Sequence, residues 1–246
     1  MSVQSAKSKQ EGIDFGRRSR RAELIDSPGI PFADWSICLR ELDLINTWLG
    51  GHRTTIAGLK AFLPECTGAL SVTEIGCGGG DNLKAIHAWN QRQRKPLTIR
   101  YTGIDLNKAC IDYARSNCRE LPGAAFIHSD YRQVSFTERP DIVFSSLFCH
   151  HLGDRELLEL FQWLRQHAGK GFFMNDLHRN RVAFHSIRLL TGLFSRSYLV
   201  KNDAPLSVLR GFTRKDWEAL MHQAGFRHYR ISWRWAFRYL VSVHDA

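Results

Sequence analysis

The sequence predicts an α/β fold: a doubly wound, mostly parallel seven-stranded sheet ending in a C-terminal antiparallel hairpin, with N-terminal helices and a helical cap. Three observations predict it. Five short segments rich in β-branched or aromatic residues alternate with helical patterns between residues 70 and 175, the rhythm of parallel strands joined by crossover helices. A glycine-rich run, Gly76-Cys77-Gly78-Gly79-Gly80, follows the first of them, where a strand must turn sharply into a helix. Two more strand-like segments, 229–235 and 237–243, are joined by a tight turn, which makes the sheet mixed.

The elements follow in order. Residues 1–22 carry Lys7, Lys9, Arg17, Arg18, Arg20 and Arg21 against Glu11 and Asp14, with few apolar residues, and are expected to form a flexible basic tail. Apolar spacing over 34–63, through Trp35, Leu39, Leu42, Ile45 and Leu49 and then, past Gly50-Gly51, Ile56, Leu59 and Leu63, predicts two amphipathic helices. Strands are predicted at 70–75, 99–104, 125–128, 141–145 and 171–175, and helices at 82–91, 108–118 and 155–167. The rhythm breaks at 179–211, which begins with helix-like spacing and continues as a polar connection containing Pro205. This stretch is read as a cap inserted in a single domain spanning 23–246. Thr213 can N-cap a helix through Trp217 and Leu220 to Gly225.

Composition bounds the function. A hydrophobic fraction of 43% and a charged fraction of 24% belong to a globular chain rather than a disordered or fibrous one. The net charge of +10 favours anionic partners. Six cysteines without a C-x-x-C pair suggest reduced thiols in a cytoplasmic protein and no structural zinc. The N-terminus lacks an apolar signal core, and no run approaches the roughly 18 apolar residues of a membrane span.

The run from Thr73 and Glu74 through Ile75 into the glycines and Asp81 carries the chemistry. Glycine lets backbone approach a ligand closely, and the N–H groups opening the next helix attract a carboxylate or phosphate. Alone this is a weak signal. Asp105 strengthens it, because an acid at the end of the second strand can accept both hydroxyls of a ribose; N-capping of the next helix is its competing role. Two features argue against a dinucleotide. Asp81 occupies the sixth place counted from Gly76, where the fingerprint wants glycine and a pyrophosphate would bind, and Asp105 lies 29 residues past Gly76 rather than about 20. With Glu74 also near, the surroundings suit a cationic ligand.

On these residues the chain resembles the class I, Rossmann-like S-adenosylmethionine-dependent methyltransferases. Glu74, Gly76, Cys77 and Gly78 are similar to that family's first motif, and Asp105 with Leu106 to its ribose-binding segment. The resemblance implies S-adenosyl-L-methionine as cofactor and S-adenosyl-L-homocysteine as product. It places Asp130 and Tyr131 beside the adenine and Ser146 in the fourth-strand motif, and Arg53 becomes a candidate holder of the methionine carboxylate. Asp130 could instead cap a turn. The stretch 175–179 with 199–205 resembles bacterial secondary-metabolite methyltransferases, including polyketide-associated ones, which implies O-methylation of a phenolic or polyketide-like small molecule.

A hydroxyl acceptor needs a base, and imidazole suits neutral pH. His150 and His151 follow the fourth strand and His178 the fifth, at the sheet end where open α/β folds bind ligands. All three are candidate catalytic residues, with His151 and His178 ranked first. Asn175 and Asp176 are candidates for orienting a histidine, and Arg179 and Arg181 for pairing with an acceptor anion. No pair of histidines and acids has an established zinc spacing, so no metal is expected. Trp233, Trp235, Phe237 and Tyr239 are read as core packing of alternating strands rather than as a nucleic-acid surface. A small-molecule acceptor is favoured and nucleic acid disfavoured. An RNA methyltransferase using the basic tail and a non-catalytic cofactor-binding subunit are the alternatives; the oligomeric state stays open.

Overall fold

Residues 13–63 and 68–244 are described by a computed structural model of the chain. Two helices, α1 (Phe32–Trp48) and α2 (Gly51–Lys60), precede the sheet. Then β1 (Leu70–Ile75), α3 (Asp81–Gln91), β2 (Ile99–Asp105), α4 (Lys108–Asn117), β3 (Ala125–His128), β4 (Ile142–Ser146), α5 (Asp154–His167) and β5 (Gly171–Leu177) alternate as predicted. The cap helices α6 (Arg181–Phe194) and α7 (Tyr198–Arg210), then α8 (Arg214–Gln223), lead to the hairpin β6 (Arg230–Arg234) and β7 (Arg238–His244).

The strand order is β3-β2-β1-β4-β5-β7-β6. β1 through β5 pair in parallel, and β7 inserts antiparallel between β5 and β6. The reversal of order at β1 leaves a crevice at the carboxyl ends of β1, β2 and β4, where a ligand can enter. Both sheet faces are covered, which explains the nearly continuous apolar runs of the inner strands. Phe172 and Met174 face the side of α5 and α8 with Phe161 and Trp217, while Phe173 faces α2 and α3 with Phe144, Leu59 and Leu83.

The cap differs from expectation in its second half. The stretch around Pro205 is helical: Ser197 caps α7 by accepting from Val200 N, and Leu199, Val200, Leu206, Val208 and Leu209 are buried. Burial of such side chains at about 1.5–3 kcal/mol each outweighs the roughly 3 kcal/mol that an interior proline costs.

The expected basic tail also differs. Phe15 packs edge-on against Phe184, Arg18 donates to the carbonyls of Arg210 and Leu152, and Ser19 N donates to Leu209 O. Further on, Leu24 N and Ile25 N donate to the two carboxylate oxygens of Asp203, each at 2.8 Å. Arg18, read as solvated charge, instead serves part-buried carbonyls, whereas Arg17, Arg20 and Arg21 are exposed as expected. The remainder of that predicted tail, 1–12, and Cys66 lie outside the described residues. Among the described residues no helix is long and apolar enough to cross a membrane.

Candidate active site

The crevice is a cavity of about 790 Å³ floored by the glycine loop after β1. Gly76 has φ +66°, and a Cβ there would fall 2.4 Å from the Phe148 ring, so conformation and contact both require glycine. Gly76 N and Cys77 N donate to Ile104 O, which ties the loop to β2. At the end of β2, Asp105 accepts from Gly78 N at 2.9 Å and Asn107 N at 2.8 Å. The N-cap of α4 is Asn107, whose side chain accepts from Ala109 N. Asp105 is therefore released from capping and lies in the cavity wall.

Three carboxyls give this cavity its electrostatic character. Burial pushes Glu74 well above the usual carboxyl range, although Asn82 Nδ2 donates to its Oε1 at 2.8 Å. Burial and the charge of Asp43 push Asp81 up to about 7, and burial raises Asp105. Glu74 Oε2 is buried without a hydrogen-bond partner. A cation entering here would stabilise all three charged forms.

Cys77, Leu106, Asp130, Tyr131 and Ser146 line the same cavity. Asp130 combines both roles considered for it, since it caps the 3₁₀ turn Tyr131–Gln133 by accepting from Arg132 N and still reaches the wall. Ser146 Oγ accepts from Asn175 Nδ2 at 3.1 Å. Arg53 is a correction: it is exposed on α2 and lines no part of the cavity. Its neighbour His52 is buried but does not line the cavity either; its Nε2 lies 2.8 Å from Asp43 Oδ1 and its Nδ1 3.0 Å from Asn82 Oδ1. Burial opposes its protonation, but Asp43 and Asn82 outweigh that and raise its pKa. His52, Thr55 and Leu59 form one buried stripe; extending the apolar pattern of Ile56 and Leu59 back by one turn would have found it.

A second cavity of about 310 Å³ lies under the cap and shares Ile25, Leu42, Leu147 and His151 with the first. Leu147 turns the chain there with φ +54°, a conformation a non-glycine residue rarely adopts outside functional sites. The two adjacent histidine rings lie 4.4 Å apart between centroids and share Glu23, but their other partners differ. His150 is buried, its Nδ1 2.7 Å from Asp176 Oδ1 and its Nε2 3.8 Å from Glu23 Oε1. His151 stands between the cavities, its Nδ1 3.4 Å from Asp26 Oδ1 and its Nε2 3.8 Å from Glu23 Oε2. Burial depresses the His151 imidazolium, but Asp26 and Glu23 more than offset this and its pKa is raised. Glu23 also takes the Arg210 guanidinium, at 3.5 Å, and the Ser207 hydroxyl. A dication between Glu23, His150 and His151 would sit beside that guanidinium, which opposes a metal there.

His178 is the second correction. It lines neither cavity. Its backbone N–H donates to Phe237 O, which carries the side chain over the hairpin, where Trp233 Nε1 donates to its Nδ1 at 3.3 Å. Arg179 and Arg181 are also occupied elsewhere, the first by Gly211 O and Asp216, the second stacked over Phe15. The cation of the second cavity is instead Arg238, read from sequence as one position of an alternating strand. It is 2% exposed, donates from Nη2 to Asn46 Oδ1, and leaves Nε and Nη1 without partners. Burial brings its pKa down to about 10. Trp233 and Trp235 are exposed, contrary to the core packing expected of them.

Residues 72–171 match the family model described as a methyltransferase domain. No curated protein matches the chain. Among solved structures, the plantazolicin methyltransferase BpumL in complex with S-adenosylhomocysteine is 18% identical, with 87% of this chain and 90% of that one covered at a TM-score of 0.61. Magnesium protoporphyrin IX methyltransferase from Synechocystis, with the same bound product, is 17% identical over 80% and 84% at a TM-score of 0.52. The pyocyanin biosynthetic protein PhzM is 18% identical over 81% and 55%, at 0.54.

Proposed function

We propose that the chain, whose residues 72–171 match a methyltransferase domain and whose fold is shared with S-adenosylhomocysteine-bound methyltransferases, is an S-adenosylmethionine-dependent enzyme that O-methylates a small, largely apolar acceptor of phenolic or polyketide-like type. The observation that carries the reading is the meeting of two cavities at His151, one acidic and glycine-floored, the other apolar and capped. The cofactor fits the first: the unpartnered Oε2 of Glu74 and the raised carboxyls of Asp81 and Asp105 are groups that a cationic ligand satisfies. S-adenosylmethionine supplies a methyl group on a positively charged sulfur that leaves as a neutral thioether.

The residues divide the remaining tasks. Asp105 is the acceptor for ribose hydroxyls, Leu106, Asp130 and Tyr131 enclose the adenine end, and Glu74 with the glycine loop takes the amino-acid end. Neutral His151 removes the proton from the acceptor hydroxyl as the O–CH₃ bond forms, and Asp26 and Glu23 stabilise the resulting imidazolium. Alignment across the shared wall at Leu147 supplies much of the rate. Arg238 offers its free N–H groups to a second oxygen of the acceptor. The buried thiols of Cys38, Cys77, Cys110, Cys118 and Cys149 suit a reducing, cytoplasmic setting.

The test is calorimetric titration with S-adenosylmethionine, S-adenosylhomocysteine and NAD, repeated on Asp105→Ala, followed by a mass-spectrometric screen of phenolic acceptors. Saturable binding of the two sulfur ligands, lost in the variant, and a methylated phenol are expected. Binding of NAD alone would overturn the reading. The RNA alternative loses part of its basis, because Arg18 is occupied by Asp154 and backbone carbonyls.

A further inference from the structure

α6 buries Ala183, Phe184 and Thr191, yet its opposite side is also apolar. Val182, Leu189 and Leu193, at i, i+7 and i+11, form an outward stripe, and Leu189, Leu193 and Phe194 are 63%, 67% and 77% exposed. Nearby surfaces continue the pattern: Trp48 at the end of α1 is 80% exposed and Trp235 in the hairpin turn 65%. Ala236 N donates to Leu49 O, so that turn and the end of α1 are joined. Leu190 and Trp235 are at once surface residues and lining residues of the second cavity. The cavity therefore opens on this apolar face.

Charge identifies what the face meets. From 181 to 202 the chain contains Arg181, Arg188, Arg196 and Lys201, all exposed, and no acidic residue. Protruding Leu, Phe and Trp flanked by cations are the composition of a helix lying in the headgroup region of an anionic bilayer. An acceptor that fills an apolar cavity also partitions into lipid. We propose that the outer face of α6, with Trp48 and Trp235, is a membrane-docking surface that seats the protein on anionic lipid with the acceptor cavity opening toward the bilayer. The delivery of acceptor rests on the functional reading above; the docking does not.

The test is vesicle flotation of the full chain with phosphatidylcholine alone and with phosphatidylcholine mixed with phosphatidylglycerol. The wild type is expected to float with the mixed vesicles, to be released by high salt, and to stay behind with phosphatidylcholine alone. Leu189→Glu/Leu193→Glu/Phe194→Ser should lower partitioning by about 10-fold or more, since the apolar area buried in the headgroup region sets the binding strength. Arg188→Glu/Arg196→Glu should weaken it with the apolar face intact. Both variants should bind S-adenosylhomocysteine as the wild type does, which shows that they fold. Wild type that fails to float, or an apolar variant that floats equally well, overturns the proposal. So does a concentration-dependent dimer broken by the same substitutions without vesicle binding, which would make this face a contact between copies. Failure of the protein to bind S-adenosylhomocysteine counts against the functional reading alone.

Discussion

His150 Nδ1 lies 2.7 Å from Asp176 Oδ1, and both side chains are sealed from water. The pair joins the turn after β4 to β5, and His150 N adds a bond to Asp176 Oδ2 at 3.2 Å. His150 also lines the second cavity, but only its neighbour His151 lines both. The proposed reading gives His150 a structural part and His151 the chemical one, which separate measurements can resolve.

Asp176→Ala should destabilise the fold by about 3–5 kcal/mol in urea unfolding, the usual cost of breaking a buried charged pair. Burial pushes the Asp176 carboxyl up, but His150, the Leu177 N–H and His151 together outweigh it and hold the group below its ordinary value. The contribution is thus complete above the ordinary carboxyl range and lost as pH falls through the depressed pKa. The urea midpoint of the variant should therefore fall less steeply as pH drops through that range.

His151→Gln should leave stability within about 1 kcal/mol and cofactor affinity nearly unchanged, while lowering kcat by about 10²–10⁴-fold, the range for loss of a general base. Equal stability loss in His151→Gln and Asp176→Ala, without a selective loss of kcat, would remove the distinction.

Turnover should rise with pH, because only neutral His151 accepts a proton. Burial lowers its pKa and Asp26 and Glu23 raise it by more, so the midpoint lies above the ordinary 6.5 of histidine. Removing the negative charge in Asp26→Asn should shift the kcat profile to lower pH. A profile unmoved by that substitution would place the titrating group elsewhere.

Binding of the cationic cofactor should expel protons. Glu74, Asp81 and Asp105 all sit above the ordinary carboxyl range, Asp81 at about 7, and a nearby positive charge favours their ionised forms. Calorimetry in buffers of different ionisation enthalpy should show proton release at pH 7, larger for S-adenosylmethionine than for S-adenosylhomocysteine and smaller in Asp81→Asn. Buffer-independent heats would contradict it.

Gly76→Ala should weaken cofactor binding by about 10–100-fold, combining the left-handed conformation with overpacking against Phe148, together on the order of 2–3 kcal/mol. Adding Phe148→Ala should recover part of the loss, because it relieves the contact and leaves the φ cost. Full recovery would show that conformation contributes nothing.

The sheet was legible because its signals are local. The strand ending before Gly76 is buried at nearly every position, those ending at Asp105 and before Ser129 carry β-branched or aromatic residues with some exposed positions, and the acids at or just after their ends mark the cofactor crevice. What escaped detection depends on distant contacts. Glu23 and Asp26 reach His151 only because Leu24 and Ile25 hang on Asp203, nearly 180 residues away. His178 looked equivalent to His151 from its place after a strand, but the pairing of β5 with β7 directs it over the hairpin. Arg53 and His52 are adjacent in sequence and about 100° apart on a helix, so choosing between them needed the buried stripe rather than the charge.

The strap from Phe15 to Asp26 contributes two acids to the chemistry yet no strand to the sheet. The fold thus separates a sheet half that holds the glycine loop from a strap-and-cap half whose acids surround His151. On the proposed reading, substitutions confined to the strap would retune acceptor choice and the proton affinity of His151 while the cofactor half stays as it is.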